Sequence, residues 1–137
     1  MWIPIQINES SAEPLYHQIE TQLRSMIVSG QLGEGTLLPS IRELAGSLNC
    51  SAITVRRVYQ DLENEGLLRT KQGTGTFVSK VEEEQRGTYK QTLVQEALEA
   101  AIDSAIAVQY SKEELQALFL EMIEKKYKAA GKGGNAK

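Results

Sequence analysis

Apolar positions change their period several times along the 137-residue chain. Ile3, Ile5 and Ile7 alternate with Pro4 and Gln6, which predicts a short strand, placed at a sheet edge by the proline. Pro14 suits the first turn of a helix, and Leu15, Ile19, Leu23, Met26 and Ile27 follow at helical spacing. Gly30 ends that helix, and Gln31 to Leu38, with Gly33 and Gly35, reads as a loop.

A second helix starts at Ser40, whose hydroxyl with Glu43 three residues on makes a capping box; Ile41, Leu44, Ala45 and Leu48 form its stripe. After a tight break at Asn49-Cys50, Ser51 caps a third helix with Val55, Val58, Tyr59 and Leu62 on one face, stopped by Gly66. Two helices joined by about three residues are a helix-turn-helix pattern. Leu67 to Thr70 and Thr76 to Val78 read as strands around a glycine-containing hairpin, Lys71 to Gly75, so a wing follows the helix pair.

Glu82 to Gly87 is charged and reads as a hinge. Beyond it Leu93, Val94, Ala97, Leu98, Ala101, Ile102, Ala105 and Ile106 form an apolar helix face. Ser111 to Glu114 is a further capping box, ahead of Leu115, Leu118, Phe119, Met122 and Ile123. Ala129 to Lys137 is rich in Gly and Lys and reads as disordered. The expected organisation is mainly α (α+β). A winged helix-turn-helix spans residues 1–80, a linker 81–90, a helical dimerisation segment 91–128 and a tail 129–137.

Composition narrows the class. Hydrophobic residues make up 41% and charged residues 24%, a globular profile. No apolar run approaches the ~20 residues that span a bilayer. The start, Met1-Trp2-Ile3-Pro4, lacks the basic and apolar regions of a secretory signal, and the single Cys50 forms no internal disulfide. A cytoplasmic protein away from membranes is expected. The net charge of −3 opposes phosphate binding when taken whole, but it is unevenly spread: −3 over residues 1–37, +2 over 38–80 and −2 over 81–137. Only the segment holding the helix-turn-helix and wing is net basic.

At 100° per residue, Ile53 and Arg57 project almost opposite the apolar stripe of the third helix, with Thr54, Arg56 and Gln60 on its flanks. Such a helix fits the major groove, where arginine reads guanine in a bidentate way. Ile53 either meets a thymine methyl or packs on the wing or second helix. Arg56 and Arg57 have a bland alternative, pairing along the helix with Asp61 or Glu63; the helix-turn-helix context favours DNA. Arg42 is placed for a phosphate contact, with an ion pair as the alternative, and Lys71 and Gln72 sit at the wing tip.

Five stretches carry a family resemblance: Pro14 to Ile19, Leu38 to Ala45, Thr54 to Tyr59, Leu62 to Leu67 and Gln72 to Val78. Over residues 12–79, without gaps, the chain resembles the GntR family of bacterial regulators, and its short two-helix tail resembles the YtrA-type subfamily. The resemblance implies DNA contacts from Arg42 of the Pro-Ser-x-Arg motif, from Ser51, Ala52, Thr54 and Arg56 of the recognition helix, and from Gln72 and Gly73 at the wing tip. Many members have a larger polar or basic side chain where Ala52 stands, so one familiar base contact is expected to be missing. With Ser40, Ile53 and Arg57 added from the reading of the residues, these positions make up the candidate DNA-binding set. Resemblance also implies homodimers, a pseudo-palindromic double-stranded operator, repression, and in this subfamily proximity to transporter genes.

The alanine-rich stripe supports dimerisation independently, since about fifty residues build little core alone. The candidate dimerisation residues are Leu93, Val94, Ala97, Leu98, Ala101, Ile102, Ala105, Leu118, Phe119 and Met122. The alternative is that both tail helices fold on their own winged domain. One histidine, His17, rules out the multi-histidine metal site of larger relatives, and no cofactor is expected. No nucleophile–base pair, metal spacing or phosphate loop points to an enzyme. A protein–protein interaction module remains as a second reading, with no bar from the acidic balance.

Overall fold

The computed structural model describes residues 3–133, with side chains to residue 131; Met1-Trp2 and the Gly134–Lys137 part of the expected tail lie outside the described residues. Element order is α1 (Leu15–Val28), α2 (Ile41–Leu48), α3 (Ala52–Asn64), β1 (Leu68–Lys71), β2 (Gly75–Val78), α4 (Glu83–Ala107) and α5 (Lys112–Gly133). The chain divides into two compact units, one ending at Lys90 and the other beginning at Gln91.

In the first unit the apolar stripes of α1, α2 and α3 meet. Ile19, Leu23, Ile27, Leu44, Val55, Val58 and Leu62 are fully buried. Each such side chain contributes about 1.5–3 kcal/mol relative to exposure. Ser40 caps α2 in a reciprocal box: its hydroxyl accepts from Glu43 N (3.0 Å) and its own N–H donates to Glu43 Oε1 (2.8 Å). Ser51 caps α3 by accepting from Thr54 N at 3.2 Å. Between them Asn49 takes the left-handed conformation (φ 56°), which its short polar side chain tolerates. Cys50 N then donates to Ala45 O at 3.0 Å, closing the turn.

The expected strand at Ile3–Ile7 does not form. Ile3 and Ile5 are buried in the core, but this segment pairs with side chains and not with a strand. Gln22 of α1 accepts from Gln6 N (2.9 Å) and donates to Gln6 O (2.7 Å). Gln18, one turn earlier, does the same for Asn8, at 2.8 and 3.1 Å. Two glutamine amides thus satisfy the backbone groups that a neighbouring strand would take.

β1 and β2 pair antiparallel from Leu68↔Val78 to Lys71↔Gly75, leaving Gln72 to Thr74 as the wing tip. The segment read as a plain loop adds a third rung: Leu37 bridges Phe77, and Leu38 N donates to Thr76 O at 2.9 Å. Gly75 has φ +136°, a conformation L side chains rarely adopt, and a Cβ there would lie 2.8 Å from Leu37 Cδ1, so a side chain would strain the backbone and displace the Leu37 tip.

The expected hinge is also corrected, because α4 starts at Glu83 and not at Gln91. The acidic run is a helix start: Glu83 and Glu84 occupy the first turn, where the helix dipole favours negative charge. Gln85 Oε1 accepts from Glu82 N at 3.3 Å. Val81 is buried, and Tyr89 donates to Glu65 O at 2.8 Å, so the start of α4 belongs to the first unit's core.

In the second unit Ser111 and Glu114 cap α5 reciprocally at 2.9 and 3.0 Å. Helix α5 runs on to Gly133, so residues 129–133 are helical where disorder was expected; Ala129-Ala130 are strong helix formers. Val94, Leu98, Ile102, Leu118, Phe119 and Met122 are exposed in the single chain, Leu93 is half-buried, and Ala105 is buried. Ala97 and Ala101 are exposed as well. Leu98, Ala101, Ile102, Leu115, Gln116 and Phe119 line a groove of about 240 Å3 between α4 and α5. Among the described residues no helix is long and apolar enough to cross a membrane.

Candidate nucleic-acid interface

Helix α3 is positioned from two sides. Towards α2, Tyr59 is buried and donates through its hydroxyl to Pro39 O at 2.8 Å. Burial, with a smaller contribution from the Glu43 charge, pushes the Tyr59 phenol far above its usual range, so it remains a donor. Towards α1, Arg24 grips Glu65 at the end of α3 with two bonds, 2.9 and 2.7 Å, and Glu20 with a third at 2.8 Å. The bidentate contact to Glu65 raises the Arg24 pKa further.

The outward face of α3 carries the candidate residues. Ile53 is 77% exposed, so neither the wing nor α2 covers it. The packed alternative for Ile53 is therefore not realised. Ala52 and Arg56 are exposed beside it. Among the described residues neither Arg56 nor Arg42 has a carboxylate within 4.0 Å, so the ion-pair alternatives are not realised for these two. For Arg57 the pairing does form, with Nε 4.0 Å from Asp61 Oδ2, and its guanidinium stacks on the Tyr16 ring of α1, Cζ 3.6 Å from the centroid. Ser51 and Thr54 share a 2.9 Å contact between their hydroxyls, and Ser40 is engaged in its capping box. Gln72 and Gly73 form the exposed wing tip, with Gly73 at φ +81°.

Two partners were missed in the sequence. Arg69 is exposed on β1 and, two residues from Lys71, projects from the same face. Its guanidinium lies 5.5 Å from the ring of Phe77, its cross-strand neighbour. Tyr16, the support of Arg57, lies 41 residues away along the chain, and no local spacing signals such a contact.

Cys50 is half-buried and free, and burial raises its pKa, so it stays a thiol at neutral pH. No three His, Cys, Asp or Glu among the described residues are placed to hold a metal ion.

Comparison with known proteins adds a decisive observation. The model of the family described as bacterial regulatory proteins, gntR family, matches residues 15–78, from α1 through β2. The HTH-type transcriptional repressor YtrA of Bacillus subtilis is 36% identical over 130 residues, covering 95% of this chain and 96% of that one. The chain belongs to the GntR family.

As a GntR-family protein it is a transcription regulator with a DNA-binding winged helix-turn-helix. A solved GntR-family transcriptional regulator from Listeria monocytogenes superimposes with a TM-score of 0.69 at 26% identity, over 81% of this chain and 96% of that one. YtrA from Sulfolobus acidocaldarius, a GntR-family transcription factor, gives 0.51 at 31% identity, over 88% and 97%. All ten candidate DNA-binding residues fall inside the family match.

Proposed function

We propose that this GntR-family regulator is a homodimeric repressor that binds a pseudo-palindromic DNA operator. The observation that carries this reading is the outward face of α3, where Arg56 has no acid partner among the described residues and stands beside an uncovered Ile53. An exposed isoleucine costs solubility and adds nothing to the core, whereas in a major groove it packs on a thymine methyl. Arg56 then reads a guanine edge, and Ala52 leaves its neighbour base unread. Ser51, Thr54 and Ser40 lie at helix N-termini, where backbone N–H groups favour phosphate oxygens. Arg42 adds a phosphate contact. The wing tip, Gln72-Gly73 with Lys71 and Arg69, reaches the flanking backbone or minor groove.

The exposed faces of α4 and α5 support the dimer. Val94, Leu98, Ile102, Phe119 and Met122 form a contiguous apolar surface that a second copy would bury, with Ala97 and Ala101 permitting close helix approach. Two half-sites and two recognition helices then share one symmetry. Similarity over 95% of the chain to a protein named as a repressor supports repression, and the YtrA-type resemblance supports control of a transporter operon.

The test is selection of duplexes from a random pool, followed by fluorescence anisotropy at two salt concentrations with wild type and Arg56→Ala. A palindromic consensus, steep salt dependence, and a loss of about tenfold or more in the variant are expected. No enriched sequence would turn the reading toward protein–protein contact.

A further inference from the structure

We propose that Arg57 contacts a DNA phosphate at the wall of the groove from a pose set by Tyr16, and does not read bases. This rests on the DNA-binding reading above and assigns one residue within it. At 100° per residue, Arg56 and Arg57 stand on either side of Ile53 and Gln60 on the outward face of α3, with Arg57 nearer its middle. On the side towards α1, the Arg57 guanidinium sits over the Tyr16 ring with Cζ 3.6 Å from the centroid. Asp61, one turn further along α3, draws Nε the same way at 4.0 Å. Both contacts pull the head sideways, away from the middle of the face. A guanidinium folded back on the neighbouring helix lies along the helix flank, where the sugar–phosphate backbone passes, and not over the groove floor.

Arg24 shows what a structural arginine looks like in this protein. It makes bidentate bonds of 2.7 and 2.9 Å to Glu65, and its side chain is 15% exposed. Arg57 differs on both counts: its acid partner stands off at 4.0 Å, and its side chain is 57% exposed. Stacking occupies the face of the guanidinium and leaves the N–H edge open, which is the edge that bonds phosphate oxygens. The ring holds the charge in one place before DNA arrives, so less side-chain freedom is lost on binding.

The experiment measures affinity for the selected operator and for a scrambled duplex across a salt series, using wild type, Arg57→Ala, Tyr16→Phe and Tyr16→Leu, with melting temperatures recorded for each. Arg57→Ala is expected to weaken both duplexes by the same factor, about tenfold, and to lower the salt slope by about one unit per bound protomer. Tyr16→Phe keeps the stacking surface and should match wild type. Tyr16→Leu should lose about two- to fivefold while keeping the wild-type slope, because the charge remains. A changed ranking of single-base operator variants in Arg57→Ala would make Arg57 a base reader and overturn the assignment. An unchanged slope with a lowered melting temperature would make it purely structural. Wild type binding no duplex would sink the DNA-binding reading itself, whereas normal wild-type binding with an unaffected Arg57→Ala would sink only the assignment.

Discussion

The Tyr59 hydroxyl donates a 2.8 Å hydrogen bond to the Pro39 carbonyl oxygen, fastening the middle of α3 to the residue before the N-cap of α2. Both residues are buried, so that carbonyl has no solvent to replace the bond. Tyr59→Phe removes the donor and leaves the ring packing in place. It is expected to cost about 1–3 kcal/mol in urea unfolding. A loss well below that would mean that water reaches Pro39 O.

Leu37 and Gly75 form the second joint of the DNA-binding unit. Gly75→Ala places a methyl 2.8 Å from Leu37 Cδ1 at φ +136°, a backbone conformation that alanine rarely adopts. The expected destabilisation is about 1–3 kcal/mol. Leu37→Ala combined with Gly75→Ala should relieve the clash but not the backbone strain, so partial rescue is the diagnostic result. Full rescue would show that the strain is negligible.

Ser40 tests the cap of α2. Ser40→Ala breaks the bond from Glu43 N and should cost about 1 kcal/mol, while Ser40→Gly should cost only a few tenths. The bond from the Ser40 backbone N–H holds the exposed Glu43 carboxyl below its usual range. Equal losses in the two variants would point away from capping.

Glu20 gives the protein a pH dependence of definite sign. Burial raises its pKa from 4.5, the facing Asp61 carboxyl adds to the rise, and Arg24 opposes it. Its Oε1 is buried with no hydrogen-bond donor, and two facing carboxyls bond each other only when one carries a proton. The folded state therefore holds this proton more tightly than the unfolded state. The Glu20 contribution is fully present below pH 4.5 and is lost as pH rises through the raised value. Glu20→Gln removes that loss, so unfolding at about pH 4 and about pH 7 should show the variant gaining on wild type at the higher pH. Parallel pH profiles for the two proteins would refute this.

The proposed dimer is tested on the tail. Ile102→Glu places a charge in the exposed apolar face of α4 without touching the winged domain's core. Sedimentation should show a monomer, and operator affinity should fall by at least about tenfold as the two half-sites become uncoupled. A variant that still sediments as a dimer would move the interface elsewhere.

Local sequence determined most of the elements. The stripes of α1, α2 and α3, the caps at Ser40, Ser51 and Ser111, and the wing hairpin all depend on neighbours within a few positions. A residue type at a fixed offset therefore carries the physics, and the helix-turn-helix with its candidate arginines was legible. Two misreadings were local in appearance only. Ile3 to Ile7 has the alternation of a strand, but Gln18 and Gln22 of α1 take its backbone bonds. Glu82 to Gly87 has the composition of a linker, but Val81 and Tyr89 anchor it to the core, and its acidic residues fill the first turn of a helix.

Tertiary structure alone decided how the exposed side chains are held. Arg56 and Arg57 are the same residue type at adjacent positions, and helical spacing exposes both. Folding brings Tyr16 and Asp61 beside Arg57 and, among the described residues, no acid within 4.0 Å of Arg56. It likewise left Ile53 bare and set Leu37 against the wing at Gly75. Apart from the Arg57–Asp61 pair within α3, these contacts join residues far apart in the chain, and their energies depend on distance and burial, which exist only once the helices have packed.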